Sequence, residues 1–120
     1  MDCRLTDIFK FQRELQTKLG TFDKIQTPAD RQEFVNQMLL AMFEETVEVM
    51  RETPYKNPAF VKFGWKKTQI GDINKLREEL VDLLHFFVNI CLVNNFTAED
   101  IFQTYCKKNS INAERHSSGY

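Results

Sequence analysis

The sequence of 120 residues lacks the features that mark several classes of protein. Its three cysteines, Cys3, Cys91 and Cys106, are odd in number and widely spaced, and no CxxC pair occurs. This pattern argues against a zinc site or a disulfide framework and favours free thiols in a reducing cytosol. The formal net charge of -1 provides no overall basic field that would attract nucleic acid.

The sequence also lacks a secretion signal and an apolar run of membrane-spanning length. The N-terminal segment MDCRLTDIFKF has no basic stretch followed by an apolar one. The longest apolar run, LLHFFVNICLV, is interrupted by His85 and Asn89 and is too short to span a bilayer. We therefore expect a cytoplasmic protein that has neither a membrane nor a nucleic acid as its partner.

The composition is that of an ordinary globular protein, with 42% hydrophobic and 28% charged residues. Together with the length, it predicts a single domain that covers residues 1–120. Eleven phenylalanines are more than a small monomer can easily bury. They indicate either an interface between subunits or a dense single core, and the composition does not decide between the two.

Hydrophobic spacing predicts four helices and no strands. Thr27 is the expected cap of the second helix, with Pro28 at the first helical position. TAED forms a capping box for the fourth helix, in which Thr97 caps and Asp100 reaches back. We expect helices over residues 6 to 19, 28 to the ETPYKNP segment, 72 to 93 and 98 to 109, each end being approximate.

Two segments are predicted to be irregular. Residues 54–71 form a loop of a length that is often functional, and its Trp65 could either stack on a base or cover the end of the helices. The polar tail after Asn109 is expected to be extended, mobile or ordered only by a ligand. The short connection between the third and fourth helices predicts antiparallel neighbours. The expected fold is thus all-α, a bundle of four to five helices.

Two pairs of acidic residues lie on or beside the apolar stripes of the second and third helices: Glu45 with Glu48, and Glu79 with Asp82. If these helices pack antiparallel, four carboxylates converge, and their repulsion requires a cation. Oxygen ligands favour Mg²⁺, with Mn²⁺ as the alternative, and Mg²⁺ usually also takes phosphate oxygens. The pairs therefore predict hydrolysis of a phosphate compound by metal-activated water. Solvated surface acids are the simpler alternative.

Two further polar residues lie near the apolar faces. His85 follows Asp82 by three positions, so it could orient a ligand carboxylate or be an ordinary core histidine. Gln12, in FKFQREL, falls near the apolar face of the first helix, where a buried amide needs partners. It could read the edge of a base or fill a polar gap.

The C-terminal segment KKNSINAERHSSGY repeats cations and amides at helical spacing. Lys108, Asn112 and Arg115 would share one face if the fourth helix extended that far. Such a face suits a triphosphate, since arginine can bind phosphate through two hydrogen bonds. The alternative is a solvated helix end whose cations favour the helix dipole.

The paired EETVE and EELVD resemble the ExxE…ExxD signature of the all-α nucleoside triphosphate pyrophosphatases, the MazG-like superfamily. The segments EELVDLLHFFVN and FTAEDIFQTYCKKNSINAERHSSGY are similar to the dimeric dUTPases and to the dCTP/dUTP pyrophosphatases of tailed phages. That branch has a KNxxNxxRQxxGY-like element, which this sequence matches with His116 in place of Gln. FKFQREL also resembles the branch, with Gln12 at its nucleoside-binding glutamine. The chain lacks the large insertions of the long dimeric dUTPases and looks like a minimal, phage-like form.

The resemblance implies a homodimer or tetramer that hydrolyses dUTP, dCTP or both to the monophosphate and pyrophosphate with Mg²⁺. It implies that Glu48 orients or deprotonates the attacking water, and that the tail, residues 110–120, belongs to the substrate site. The implied metal ligands are Glu45, Glu48, Glu79 and Asp82. The implied phosphate-binding residues are Lys108, Asn112, Arg115 and Tyr120. The implied nucleoside-binding residues are Gln12, Trp65, His85 and Asn89.

Two alternatives to this function stay open at the level of the sequence. One is a broader MazG-like pyrophosphohydrolase that acts on modified or purine nucleotides. The other is a helical interaction module without enzymatic activity, whose acids are solvated and whose aromatic face binds a partner.

Overall fold

The computed structural model of the chain describes residues 4–53, 62 and 71–119, and these residues form helices and turns without a strand. A short 3-10 helix, Phe22–Lys24, lies between the first two α-helices. The all-α prediction is confirmed. Most of the predicted loop at 54–71 lies outside the described residues. The α-helices are α1 (Arg4–Lys18), α2 (Pro28–Glu52), α3 (Ile73–Val93) and α4 (Ala98–Ser117).

Two helices begin with capping boxes; the sequence predicted the whole box at α4 but only the Thr27 cap at α2. At α2, the Thr27 hydroxyl accepts a hydrogen bond from the Asp30 amide at 3.1 Å, and the Asp30 carboxylate accepts one from the Thr27 amide. Thr97 and Asp100 form the same reciprocal pair at α4. The backbone hydrogen bonds hold the pKa of both aspartates below its usual value. These local bonds fix where the two helices begin.

Helices α2 and α3 run antiparallel along each other. Near the start of α3, the Lys75 ammonium lies 3.7 Å from a carboxylate oxygen of Glu52, the last residue of α2. Near the other end of α3, the Asn89 side-chain amide donates to the sulfur of Met38, in the first half of α2, at 3.6 Å. The second half of α2 and the first half of α3, which carry the acidic pairs, therefore face each other.

The buried apolar core lies at one end of this helix pair. It is formed where α1 crosses the last turns of α3 and the first turn of α4. The buried Cys91 belongs to it, and burial raises the pKa of its thiol. Partly buried side chains of α1, α3, α4 and the 3-10 helix pack against this core. The buried members are Phe9, Val88, Cys91, Leu92 and Ala98.

Helix α4 differs from the prediction in its length. It was expected to end near Asn109, but it continues to Ser117, so the expectation of an irregular tail was wrong for residues 110–117. This polar segment, SINAERHS, contains neither glycine nor proline, and polarity alone does not stop a helix. The stop comes at Gly119, whose φ of 83° is the left-handed conformation typical of a helix C-terminus.

The direction of α4 also differs. A bend of 109° separates its axis from that of α3, so the prediction of antiparallel neighbours was wrong. The turn between them uses Asn95 at a φ of 59°, and the Phe96 amide bonds back to the Cys91 carbonyl. Ala98 and Ile101 in the first turn of α4 join the core, whereas residues 102–119 are exposed. The connection is short, but it points α4 away from α3.

The described helices leave much apolar surface uncovered. The radius of gyration is 18.1 Å, whereas a compact chain of this length has about 14 Å. Within the part of the chain that the structure describes, no single helix is long and apolar enough to cross a membrane, and α3 with α4 meets that test only as a bent pair. Among the residues that the structure describes, fifteen large hydrophobic ones are exposed: Phe11, Leu15, Leu19, Leu39, Leu40, Phe43, Met50, Ile73, Leu80, Val81, Phe87, Phe96, Phe102, Tyr105 and Ile111.

Candidate metal and nucleotide site

Three carboxylates converge between α2 and α3. Glu45 and Glu48 are one helical turn apart on α2, and Glu79 faces them from α3. One carboxylate oxygen of each residue lies within 4.8 Å of the corresponding oxygens of the other two. Glu79 is buried, Glu45 is partly buried and Glu48 is exposed. We call this group the carboxylate triad.

The triad repels its own negative charge. The pKa of Glu48 is raised, chiefly because its protonated form donates a hydrogen bond to Glu79. The pKa of Glu79 is raised in turn, chiefly through a hydrogen bond to Glu45. One oxygen of Glu45, Oε2, is buried and has no hydrogen-bond partner. Protonation would relieve the repulsion among these carboxylates, and so would a divalent cation bound to their oxygens.

The fourth predicted ligand, Asp82, lies outside the triad. Its carboxylate is 3.9 Å from Nδ1 of His85, and both side chains are about half exposed. Its negative charge still contributes to the raised pKa of Glu79, so the two carboxylates are close enough to interact. The structure therefore brings together three of the four predicted ligands, and the role of Asp82 stays a prediction.

Two of the predicted nucleoside-binding residues meet in the interior. The Gln12 side-chain amide donates a hydrogen bond of 2.7 Å to the Asn89 side-chain oxygen, and both residues are at least nine-tenths buried. Asn89 also donates to the sulfur of Met38. Asn89 follows Glu79 by ten residues, or about 15 Å along a helix. A nucleoside at this amide pair would thus lie well away from the triad.

The predicted phosphate-binding residues of the C-terminal segment lie on α4. Lys108, Asn112 and Arg115 are helical and exposed, and their spacing places them on one face. The sequence predicted a shared face only if the fourth helix extended to Arg115, and α4 does extend that far. They lie beyond the first turn of α4, which is the part that packs on the core. Tyr120 and Trp65 lie outside the described residues.

A polar cavity of about 190 Å³ adjoins the triad. Its walls include Glu48 and Glu79 together with three residues that the sequence analysis missed: Arg51, Glu52 and Lys75. A signal for two of them was present. Glu52 follows Glu48 by four residues and Lys75 precedes Glu79 by four, so each continues the face of the triad by one turn.

A larger cavity of about 370 Å³ lies elsewhere, between α1 and the start of α4. Phe9, Leu92 and Phe96 contribute apolar walls, with Lys10 and Arg13 among its other residues. The cavity lies where α4 turns away from α3. Its residues include none of the triad, so it adds nothing to the chemistry of the carboxylates.

Comparison with known proteins gives two kinds of match. A family model described as dUTPase matches residues 4–94 and 87–120. A segment of 46 residues is 41% identical to the dCTP pyrophosphatase of Enterobacteria phage T4 and covers 38% of this chain. A segment of the same length is 39% identical to the dCTP pyrophosphatase of Enterobacteria phage LZ5. Each match spans 27% of the length of the phage protein. No solved structure matches the chain.

Proposed function

This chain belongs to the dUTPase family, and we propose that it is a Mg²⁺-dependent pyrophosphatase of deoxyribonucleoside triphosphates. The proposed substrates are dUTP, dCTP or both. Family membership supports the uracil nucleotide, and the names of the two phage relatives support the cytosine nucleotide. The observation that carries the proposal is the carboxylate triad with its unpartnered oxygen on Glu45. Such substrates would place the activity in the cytoplasm.

The triad fits a hard divalent cation. All of its donor atoms are carboxylate oxygens, which suit Mg²⁺ and, as the alternative, Mn²⁺. The raised pKa values of Glu48 and Glu79 indicate repulsion that positive charge would relieve. Glu45, Glu48 and Glu79 would hold the ion, with Asp82 as the fourth carboxylate. A bound Mg²⁺ supplies charge neutralisation on the phosphates and lowers the pKa of water.

Glu48 is the proposed general base. It is the most exposed member of the triad, so a water molecule can reach its carboxylate. Glu48 would orient this water and accept its proton while the water oxygen forms a bond to the α-phosphorus. The bond between the α-phosphorus and the bridging oxygen would break at the same centre. The products would be the nucleoside monophosphate and pyrophosphate.

The buried amide pair supports a nucleoside site at the other end of α3. Gln12 and Asn89 offer amide donors and acceptors close together, and an amide can turn to match either uracil or cytosine. His85 and Trp65 are proposed to complete this pocket. In the C-terminal segment, Lys108, Asn112, Arg115 and Tyr120 are proposed to bind the triphosphate, which makes residues 110–120 part of the substrate site of a single domain.

We further propose that the protein is a homo-oligomer, a dimer or a tetramer. The exposed apolar residues support this, because a subunit interface would cover large apolar side chains that are otherwise in contact with water. On α3, Ile73, Leu80 and Phe87 recur every seven residues and are all exposed, so they form one stripe along the helix. A second copy of the chain could cover such a stripe.

A substrate panel tests the proposed reaction. The protein is incubated with dUTP, dCTP, dTTP and the purine deoxynucleotides, first with Mg²⁺ and then with EDTA. We expect pyrophosphate from dUTP or dCTP in the presence of Mg²⁺ alone. Equal rates on all nucleotides would instead indicate the broader MazG-like activity. The absence of product from every nucleotide at high enzyme concentration would overturn the proposal and favour an interaction module.

The variant Glu48→Gln tests the assignment of the base. It keeps the size of the side chain but cannot accept a proton, so we expect turnover to fall by about 10²-fold or more. Helical circular dichroism should remain that of the unmodified protein. Glu33→Gln, which changes an exposed acid elsewhere on α2, is the matched control and should retain full activity.

A further inference from the structure

Cationic side chains line the cavity next to the triad, whereas the triad itself consists of carboxylates only. Two of its walls, Glu48 and Glu79, are members of the triad, and two others, Arg51 and Lys75, are cations. Its volume of about 190 Å³ is below the roughly 300 Å³ at which pockets for whole small molecules begin. The space therefore suits phosphoryl groups better than a complete nucleoside.

Lys75 is held at this cavity by Glu52. Its ammonium lies 3.7 Å from a carboxylate oxygen of Glu52, whose side chain is 11% exposed against 57% for that of Lys75. The Glu52 carbonyl also accepts a hydrogen bond of 3.0 Å from the Gly71 amide, which joins the end of α2 to the residues just before α3. The anchor is thus buried, whereas the cation reaches solvent. An ammonium has three donors, so this pair leaves capacity for another acceptor.

Arg51 supplies the second cation at the same place. Its side chain is exposed and forms part of the cavity wall. Glu48 lines the same cavity, and Arg51 follows it by three residues on α2, about one helical turn. A guanidinium can bind phosphate through two hydrogen bonds.

We propose that Lys75, positioned by Glu52, binds the terminal phosphates of the substrate together with Arg51. This inference rests on the proposed function, because it requires a triphosphate held at the carboxylate triad. One Mg²⁺ neutralises only part of a triphosphate's charge, and two cations share a cavity with two members of the carboxylate triad. The phosphates would lie at the start of α3, and the nucleoside would lie toward Asn89.

The competing explanation is that Glu52 and Lys75 only tie two helices together. Under the proposal, Lys75→Gln should hardly change the melting temperature, because an ion pair with an exposed lysine contributes little to stability. A helix tie and a phosphate site also differ in their effect on ligands. If the pair is only a helix tie, its loss would change the melting temperature but not the affinity for a polyphosphate. If Lys75 binds phosphate, its loss would lower that affinity and leave the melting temperature nearly unchanged.

Binding of inorganic tripolyphosphate with Mg²⁺, measured by calorimetry on the full chain, tests the proposal. Lys75→Gln should weaken the affinity by about tenfold or more, the effect expected for a charged hydrogen bond. Lys75→Arg keeps the charge and should retain most of the affinity. Arg77→Gln removes the same charge about 200° around α3 and should change the affinity by less than about twofold, since one exposed surface charge contributes little.

Two further measurements separate the roles. Mg²⁺ alone should bind Lys75→Gln at least as tightly as the unmodified protein, because the carboxylates are intact and a nearby cation is gone. Glu52→Gln removes the anchor but not the cation, so its affinity for tripolyphosphate should lie between those of the unmodified protein and Lys75→Gln. In nucleotide hydrolysis, Lys75→Gln should raise KM for a triphosphate more than for the corresponding diphosphate.

Failure of this inference is distinct from failure of the proposed function. If the unmodified protein hydrolyses no deoxynucleotide, the function fails, while tripolyphosphate binding still tests the cations. Equal tripolyphosphate affinity in the unmodified protein and Lys75→Gln would overturn the inference, as would the absence of any binding with Mg²⁺. A lower melting temperature of Lys75→Gln with unchanged affinity would identify the pair as a helix tie.

Discussion

Gln12 on α1 donates a hydrogen bond of 2.7 Å to Asn89 on α3, a residue 77 positions later in the chain. Both side chains are buried, so neither can replace the bond with one to bulk water. Buried polar groups are expensive unless they are paired. The bond therefore fixes how α1 lies against α3 at the end proposed for the nucleoside.

The amide pair gives a first prediction, for stability. Asn89→Leu should lower the free energy of unfolding by about 1–3 kcal/mol, because it leaves the Gln12 amide buried without this partner. The double variant with Gln12→Leu should recover part of that loss, since an apolar pair has no unsatisfied group. Urea unfolding of the four proteins of this cycle measures the coupling. Strictly additive losses would contradict the pairing.

The triad gives a second prediction, for metal binding. Added Mg²⁺ should raise the melting temperature of the unmodified protein, because a ligand that binds only the native state stabilises it by about 2.7 kcal/mol at a hundredfold excess over its Kd. Glu79→Gln should abolish this shift, since it removes the member of the triad that α3 contributes. Glu33→Gln, an exposed acid on α2, should keep the shift. A full shift in Glu79→Gln would exclude the triad as the metal site.

A third prediction concerns pH in the absence of metal. The pKa values of Glu48 and Glu79 are raised in the folded protein. The contribution of these two carboxyls to the free energy of unfolding is therefore complete below the pKa that they have in the unfolded chain. It is lost as the pH rises through their pKa in the folded protein. In EDTA at neutral pH, Glu48→Gln should melt at a higher temperature than the unmodified protein, because it removes one repelling charge.

Two controls accompany this pH prediction. The advantage of Glu48→Gln should shrink as the pH falls and the unmodified carboxyls take up protons. Saturating Mg²⁺ at neutral pH should reverse the order, since the variant has lost a proposed ligand. The capping residues Asp30 and Asp100 act in the opposite sense, because their pKa values are lowered. Their contribution to stability is lost only as the pH falls through their pKa values in the folded protein. Melting temperatures measured above that pH range therefore report on the triad rather than on the caps.

A fourth prediction concerns assembly. Phe43 on α2 is 70% exposed, and a charge at such a position should prevent a second copy from covering it. Phe43→Glu should reduce the molar mass measured by light scattering to that of a monomer. Gln37→Glu adds a charge at an exposed position about 120° around the same helix and should leave the mass unchanged. A monomeric unmodified protein would refute the proposed oligomer.

Local features of the fold could be predicted from the sequence because their causes are local. Thr27 with Asp30 and Thr97 with Asp100 are three residues apart, so their capping bonds need no information about the rest of the chain. The acids at 45, 48 and 79 were also identifiable, since their helical spacing contradicts an apolar face. What places them opposite each other is the antiparallel packing of two predictable helices.

The missed features depend on contacts between distant parts of the chain. Gln12 and Asn89 were each identified as polar residues of interest, but their mutual bond depends on how α1 crosses α3. Glu52 and Lys75 were not identified from the sequence, because their ion pair joins two helices across a connection. The direction of α4 is likewise set by the turn at Asn95 and by the packing of Ala98 and Ile101, which no short-range pattern encodes.

The position of the apolar core gives the two ends of the α2–α3 pair different mechanical properties. At the core end, Val88 and Leu92 of α3 pack against α1 and α4, so separating α3 from them would expose apolar surface to water. At the triad end, mutually repelling carboxylates and one partly exposed ion pair face each other. Without a ligand, this end of the helix pair should open transiently. A bound cation and substrate would contact both helices there and make this end rigid. Slow amide exchange near Val88, and exchange near Glu79 that slows on ligation, would be its dynamic signature.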